Sequence, residues 1–378
     1  MAGPLEGVRV VEVANWTFVP AAGAILADLG ADVIKVESPT GDPQRALHNL
    51  LNFGTDGPNP FLEIPNRGKR SITLDLTTDR GQEVLAQIVA HADVFLTSNL
   101  APIRAKLKID VDDIRAANPN IIYVRGTGWG PEGPMADVGG YDLACGWASS
   151  GLASKLTKDE PPPQPAAFFD LQGANTIAGA VGMALFKRER TGEPSVIDVA
   201  LLNVAMWAMS PDLVGAPYTG NAPMFPREQP GNPITNWYQT KDGRWLYLVC
   251  LQADRFWAEL CTLLGCTELI ADPRYADAAV RYEHRTECVH ALDAVFNAKT
   301  LDEVKADLAT FTGVWSPVQT FTEVHVHVQV IANGFLPEVE AATGKPFRLV
   351  AAPMQFDGAV TVPRSAAPEL GQHTEDVL

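Results

Sequence analysis

Apolar and polar positions divide the first 130 residues into a repeating strand–helix unit. GVRVVEVA (7–14) is a β-rich run; Pro20 then opens the small apolar stretch AAGAILADL, with Gly30 where a helix C-cap belongs. ADVIKVE (31–37) follows as a second strand. The pattern recurs as RSITLDL (strand), DRGQEVLAQIVAHA (helix), DVFLTS (strand) and NIIYVRGTG (strand). Such alternation predicts an α/β fold with an open parallel sheet and right-handed crossovers.

Downstream, 174–190 predicts an apolar helix ending in the cationic run KRER before Thr191-Gly192, and SVIDVALLNVAMWAM starts strand-like and turns helical. Residues 215–236 are rich in Pro and Gly and read as a long linker. Beyond it, KDGRWLYLVC is a turn and strand, and 253–265, 280–297 and 301–310 are helical, giving a second, smaller α/β module. A length of 378 residues suits two or three domains.

Charge narrows the function classes. The chain carries a net charge of −16, which disfavours nucleic acid and anionic membranes as partners. No stretch approaches the roughly 20 apolar residues of a membrane span, and the N-terminus lacks the basic start and apolar core of a signal peptide. Five cysteines (145, 250, 261, 266 and 288) read as buried thiols in a reducing cytoplasm rather than a disulfide framework or a zinc site. There is no metal-ligand pattern among the histidines, no phosphate-binding loop, no dinucleotide fingerprint in GTGWGPEGP and no G-x-S-x-G.

Four places remain for chemistry. Asp170, after two Phe and before a small-residue helix, reads as an N-cap, as a carboxylate nucleophile held ionised by the helix dipole, or as both. Tyr141, after Gly139 and Gly140, is a buried turn tyrosine or a hydroxyl donor lining a pocket. Arg67, Lys69 and Arg70 are a solvated loop or a local anion site in an acidic chain. Trp16, Thr17 and Phe18 stand at a strand end, where open α/β sheets bind ligands.

The blocks GAILADLGADVIKVESPTGDP, NRGKRSITLDL, GWGPEGPMADVGGYD, FFDLQG, GMALFKRERTGE, YQTKDG, FWAELCTLLG, ADPRY and APELGQHTEDVL, in this order, resemble those of the family III CoA-transferases, the carnitine/bile-acid type that includes formyl-CoA transferase and α-methylacyl-CoA racemase. The resemblance implies a large Rossmann-like domain over 1–200 completed by about 336–378, a linker at 201–236, a small domain at 237–320 and a return linker at 321–335. It implies an interlocked homodimer and a coenzyme A thioester as substrate, with no permanently bound cofactor and no metal. Asp170 falls on the family's catalytic aspartate. Trp16, Thr17 and Phe18 fall on the segment lining the CoA site; Lys35, Arg70, Ile72, Asn99 and Lys106 lie in blocks that contact CoA, with Arg104 as the alternative to Lys106.

Two departures bear on the reaction. The racemases carry a His where this chain has Tyr141, and the glycine-rich flap of formyl-CoA transferase is matched only by PREQPGN. The resemblance therefore implies transfer of CoA from an acyl-CoA to a carboxylic acid through aspartyl anhydride and aspartyl-CoA intermediates. The alternatives are a racemase or epimerase and a non-catalytic acyl-CoA-binding protein.

Overall fold

Period-two alternation sets the first strand of the computed structural model, which describes residues 3–50, 58–156, 160–220, 226–341 and 344–378. In β1 (Arg9–Val13), Val10 joins the core on one face of the sheet and Val11 and Val13 the core on the other. All of α1 (Phe18–Asp28) is buried, as its run of small apolar residues requires. It ends in a Schellman turn: Gly30 takes φ +115°, and the Ala31 N–H donates to Leu26 O at 3.0 Å.

β2 (Asp32–Glu37), α2 (Gln44–Leu50), α3 (Pro60–Asn66), β3 (Arg70–Thr73), α4 (Asp79–Val89), β4 (Val94–Thr97), α5 (Ala101–Leu107), α6 (Val111–Ala117) and β5 (Ile122–Thr127) follow. A π-helical turn (Leu143–Ala148), α7 (Leu152–Leu156), α8 (Phe168–Thr191), β6 (Val196–Ala200), α9 (Leu201–Ala208) and α10 (Ser210–Thr219) complete this half.

Six strands pair in parallel in the order β3-β2-β1-β4-β5-β6. Helices α1, α8 and α9 cover one face, and α4 and α6 the other. Strand order reverses between β1 and β4, so a crevice opens beyond their carboxyl ends, where doubly wound sheets bind ligands.

The chain's C-terminal segment finishes this unit. The Ser71 N–H donates to His373 Nδ1 at 3.2 Å and the Thr73 N–H to Thr374 Oγ1 at 3.2 Å, covering the open edge of β3.

Two compact units result: Met1–Ala222 with Val328–Leu378, and Pro223–His327. The second carries a three-stranded antiparallel sheet of β7 (Thr235–Gln239), β8 (Trp245–Val249) and β9 (Trp315–Pro317) in that order. Its core includes Tyr238, Leu246, Leu248, Trp257, Leu260 and Phe296. No helix among the described residues is long and apolar enough to cross a membrane.

Two segments differ from the sequence reading. Residues 210–219, within the expected linker, form α10, whereas α9 is the helix read in SVIDVALLNVAMWAM; 221–225 lie outside the described residues. Pro211 sits in the first turn of α10, where its missing N–H costs nothing. Helix α8 begins at Phe168 rather than Ala174, so Asp170 is its third residue and not its N-cap. The N-cap is Ala167, in a left-handed conformation at φ +55°.

The Phe18 ring sets the approach of α1 to α8. A β-carbon at Gly126 or Gly173 would overlap it, so the ring fills the space those glycines leave. Gly173→Ala should therefore destabilise the protein by about 1–3 kcal/mol through overpacking. Denaturant unfolding of the variant beside the unmodified protein checks the loss.

Candidate active site

The crevice is tied shut at its base. Asn99, just past β4, donates from Nδ2 to Val13 O at 3.1 Å, and the Asn15 N–H donates to Ser98 Oγ at 3.1 Å. Between them Trp16 stands at φ +69°, a left-handed conformation costly for a bulky residue. Its ring meets the Tyr141 ring edge-on, with centroids 5.5 Å apart and planes at 89°. Tyr141 is 58% exposed, so its hydroxyl is open to a ligand rather than buried in a turn.

The chain passes from Tyr141 through Asp142, which is buried, into the π-helical turn. Such turns widen a helix by one residue and recur at functional sites. Here the turn brings Gly146 onto the Phe169 ring, with no room for a β-carbon. Trp147 and Phe168 are edge-on at 6.2 Å, as are Phe168 and Phe169 at 5.0 Å, and the Trp147 indole N–H is held by Pro162 O at 3.0 Å. This aromatic wall leads into the first turn of α8 and Asp170.

Asp170 is half-buried, and no described residue donates a hydrogen bond or an ion pair to its carboxyl. Burial first, and the Asp142 charge second, push it up to about 8. Burial thus acts against the ionised form that a helix N-terminus favours. Cys145, under the same turn, is pushed up to about 11 by burial and then by Asp142 and Asp170. Gln164 Nε2 donates to Asp142 Oδ2. Asp142, Cys145, Gln164 and Trp147 are neighbours that sequence reasoning did not single out as site residues. The one available signal was the adjacency of Asp142 to Tyr141 in GGYD.

The expected CoA-contacting residues separate into two groups. Trp16, Thr17 and Asn99 lie at the crevice, and Lys106 is exposed on α5 with no partner among the described residues. Arg104 is buried; it donates to Asn99 O at 2.8 Å and to Asp110 at 3.2 Å, so it braces the crevice from behind.

The others are not brought to the surface of the crevice. Phe18 is the core wedge between α1 and α8, and Ile72 is fully buried in the opposite core. Lys35 is fully enclosed, its ammonium held by Glu12 at 3.2 Å and Asp42 at 2.9 Å. Arg70 donates from Nε and Nη2 to the two carboxylate oxygens of Asp32, the first residue of β2, at the sheet's amino edge.

The expected basic patch at 67–70 is therefore internal ion pairing. Arg67 is buried against Asp28 at 2.8 Å, and Lys69 against Glu12 at 2.7 Å. In the second unit, PREQPGN is fastened to its own surroundings. Arg227 pairs with Asp293 at 2.8 Å, and Asn232 Nδ2 donates to Cys250 O at 2.9 Å.

Comparison with known proteins places the whole chain in one family. The model of CoA-transferase family III matches residues 5–374. The (R)-2-hydroxy-4-methylpentanoate CoA-transferase of Clostridioides difficile is 30% identical over 99% of this chain and 94% of its own. The succinate–glutarate CoA-transferase of Agrobacterium fabrum is 32% identical over 99% and 95%. A CaiB/BaiF family protein from Brucella suis, 30% identical, superposes over all of this chain and 99% of its own with a TM-score of 0.85. With a match over nearly its whole length, the chain belongs to family III of the CoA-transferases.

Proposed function

We propose that the protein moves CoA from an acyl-CoA donor to a free carboxylic acid, with Asp170 as the covalent carrier. The observation that carries this reading is the Asp170 carboxyl itself: set in the first turn of α8, desolvated beside Phe168 and Phe169, and matched by no cation among the described residues. A carboxylate stripped of water and counter-charge is a stronger nucleophile than one in solution.

The ionised Asp170 attacks the donor thioester carbonyl and expels CoA thiolate, giving an aspartyl–acyl anhydride. The thiolate attacks the aspartyl carbonyl, releasing the donor acid and leaving aspartyl-CoA. The acceptor carboxylate then displaces the thiolate to form a second anhydride. Finally the thiolate attacks the acceptor's acyl carbonyl, which yields the new acyl-CoA and restores Asp170. Each step exchanges one activated acyl group for another. The exposed Tyr141 and the backbone N–H groups of Phe169 and Asp170 in the first turn of α8 are the donors for the tetrahedral oxyanions, the Phe168 and Leu171 N–H groups being held by Pro165 O and Ala167 O.

Coenzyme A is assigned to the crevice of Trp16, Thr17, Asn99 and Lys106, with Lys35, Arg70, Ile72, Phe18 and Arg104 as framework. The relatives' names specify (R)-2-hydroxy-4-methylpentanoate and glutarate, both carboxylic acids, which supports the same acceptor class here.

A homodimer is part of the proposal. Trp207 on α9 is 82% exposed and Tyr218 on α10 is 89% exposed, beside exposed Met183 and Phe186 on α8. Large apolar side chains gathered on adjoining helices mark an interaction surface, and a second copy of this chain is the occupant that the family resemblance supplies.

Asp170→Ala should abolish transfer while CoA still binds. Hydroxylamine added during turnover should convert Asp170 to its hydroxamate, detected by peptide mass spectrometry; full activity of the variant would contradict the assignment.

The pH dependence has a definite sign. Only the ionised carboxylate attacks, so kcat/KM should rise with pH to a plateau above the Asp170 value of about 8. Asp142→Asn removes one of the two causes of that elevation and should move the rising limb to lower pH. A limb near the ordinary aspartate value of 3.8 would contradict the desolvated site.

Sedimentation across a wide dilution range, with denaturant unfolding in parallel, should show dimer dissociation only together with unfolding. A folded monomer at nanomolar concentration would remove the interlocked dimer.

A further inference from the structure

Beneath the crevice lies a closed set of buried charges that the reaction does not use. Glu12, Glu37 and Asp42 face Lys35, Lys69 and Arg45, and every member except Arg45 is buried. Lys35 donates to Glu12 at 3.2 Å, Asp42 at 2.9 Å and Ala14 O at 3.0 Å. Lys69 donates to both Glu12 oxygens at 2.8 and 2.7 Å and to Pro20 O at 2.8 Å. Arg45 grips Glu37 at 2.9 and 2.6 Å. Three anions thus balance three cations. Burying so many charges adds little net stability, because desolvation offsets their attraction; what such a network supplies is fixed geometry.

One anion of the set reaches out of it. Asp42 Oδ2 is held by Lys35, while Oδ1 accepts the N–H of Trp16 at 3.2 Å and the N–H of Gln44 at 3.0 Å. Gln44 in turn donates from Nε2 to Thr17 Oγ1 at 2.7 Å. Trp16 is the residue at φ +69° whose ring leans on Tyr141. A tryptophan keeps a left-handed backbone only where its surroundings over-determine it.

We propose that Asp42 is the positioning residue of the active site: anchored by Lys35, it holds the strained Trp16 backbone, and through Trp16 the Tyr141 side of the crevice. This rests on the reading of that crevice as the acyl-CoA site. Lys35 then acts from below, as the anchor of the anchor.

Two variants separate positioning from charge balance. Asp42→Asn keeps a carbonyl oxygen for the Trp16 N–H and removes the charge; Asp42→Ala removes both. Residue-resolved hydrogen–deuterium exchange should find the Trp16 amide protected in the unmodified protein and in Asp42→Asn, and at least about tenfold faster in Asp42→Ala, with β1 and β2 unchanged. In parallel, kcat/KM for acyl-CoA should fall about tenfold or more in Asp42→Ala, the scale of one lost charge-assisted hydrogen bond. Asp42→Asn should lose less than Asp42→Ala, since the acceptor for the Trp16 N–H is retained while the bond from Lys35 is given up.

Equal losses in the two variants would overturn the proposal in favour of charge balance alone. Rapid exchange at Trp16 in the unmodified protein would overturn it even if neither variant folds. The exchange measurement uses no substrate, so it tests the role of Asp42 apart from the CoA-transferase reading. Failure of the unmodified protein to transfer CoA would instead remove that reading.

Discussion

Everything at the site depends on how closely α1 and α8 cross. The Phe18 ring lies where β-carbons at Gly126 and Gly173 would otherwise stand. Phe18 is the first residue of α1, two residues after the strained Trp16, and Gly173 lies one turn beyond Asp170. One packing contact therefore fixes both the loop that closes the switch-point crevice and the turn that carries the reactive carboxyl. Close-packed interiors do not deform continuously, so a change at this crossing is felt at both.

Two ionic arrangements on this framework are built on opposite principles. Under the crevice, Lys35 is pushed up to about 12, because Glu12, Asp42 and Glu37 together outweigh the burial that would lower it. Every buried charge there has its opposite. Asp170 is desolvated, and among the described residues the charge that acts on it is another carboxylate, Asp142. On the proposed reading, the matched set holds geometry and the unmatched group carries the chemistry. An unmatched ionisable group in a cleft is a physical mark of function that a paired one lacks.

The sheet was legible because its signals are local. The alternation of Val10 and Val11, the glycine after α1 and the crossover lengths each dictate one outcome, and the strand-end rule then names Trp16 and Thr17, along with Phe18, which the fold turns into the core; Asn99 was named by the family resemblance alone. What sequence could not supply was burial. Lys35, Arg67 and Lys69 carry the same charge in an ion pair as in an anion site, and only the fold shows Asp42, Asp28 and Glu12 waiting for them. The same holds for Asp170, whose helix position argues for an ionised carboxylate until the aromatic wall is seen. Helix α10 was hidden by its prolines, which read as breakers although Pro211 falls in the first turn. The π-helical turn that buries Asp142 has no sequence signature.

The central claim is that Asp170 becomes covalently acylated in every turnover. Oxygen tracing tests it directly. In the anhydride route one carboxylate oxygen of the acceptor acid stays on Asp170 when the acceptor leaves as its thioester. With an acceptor acid labelled by oxygen-18 in its carboxylate, the account predicts label in the Asp170 peptide after turnover, and then in the released donor acid. Formation of the new thioester with no label in that peptide would contradict it.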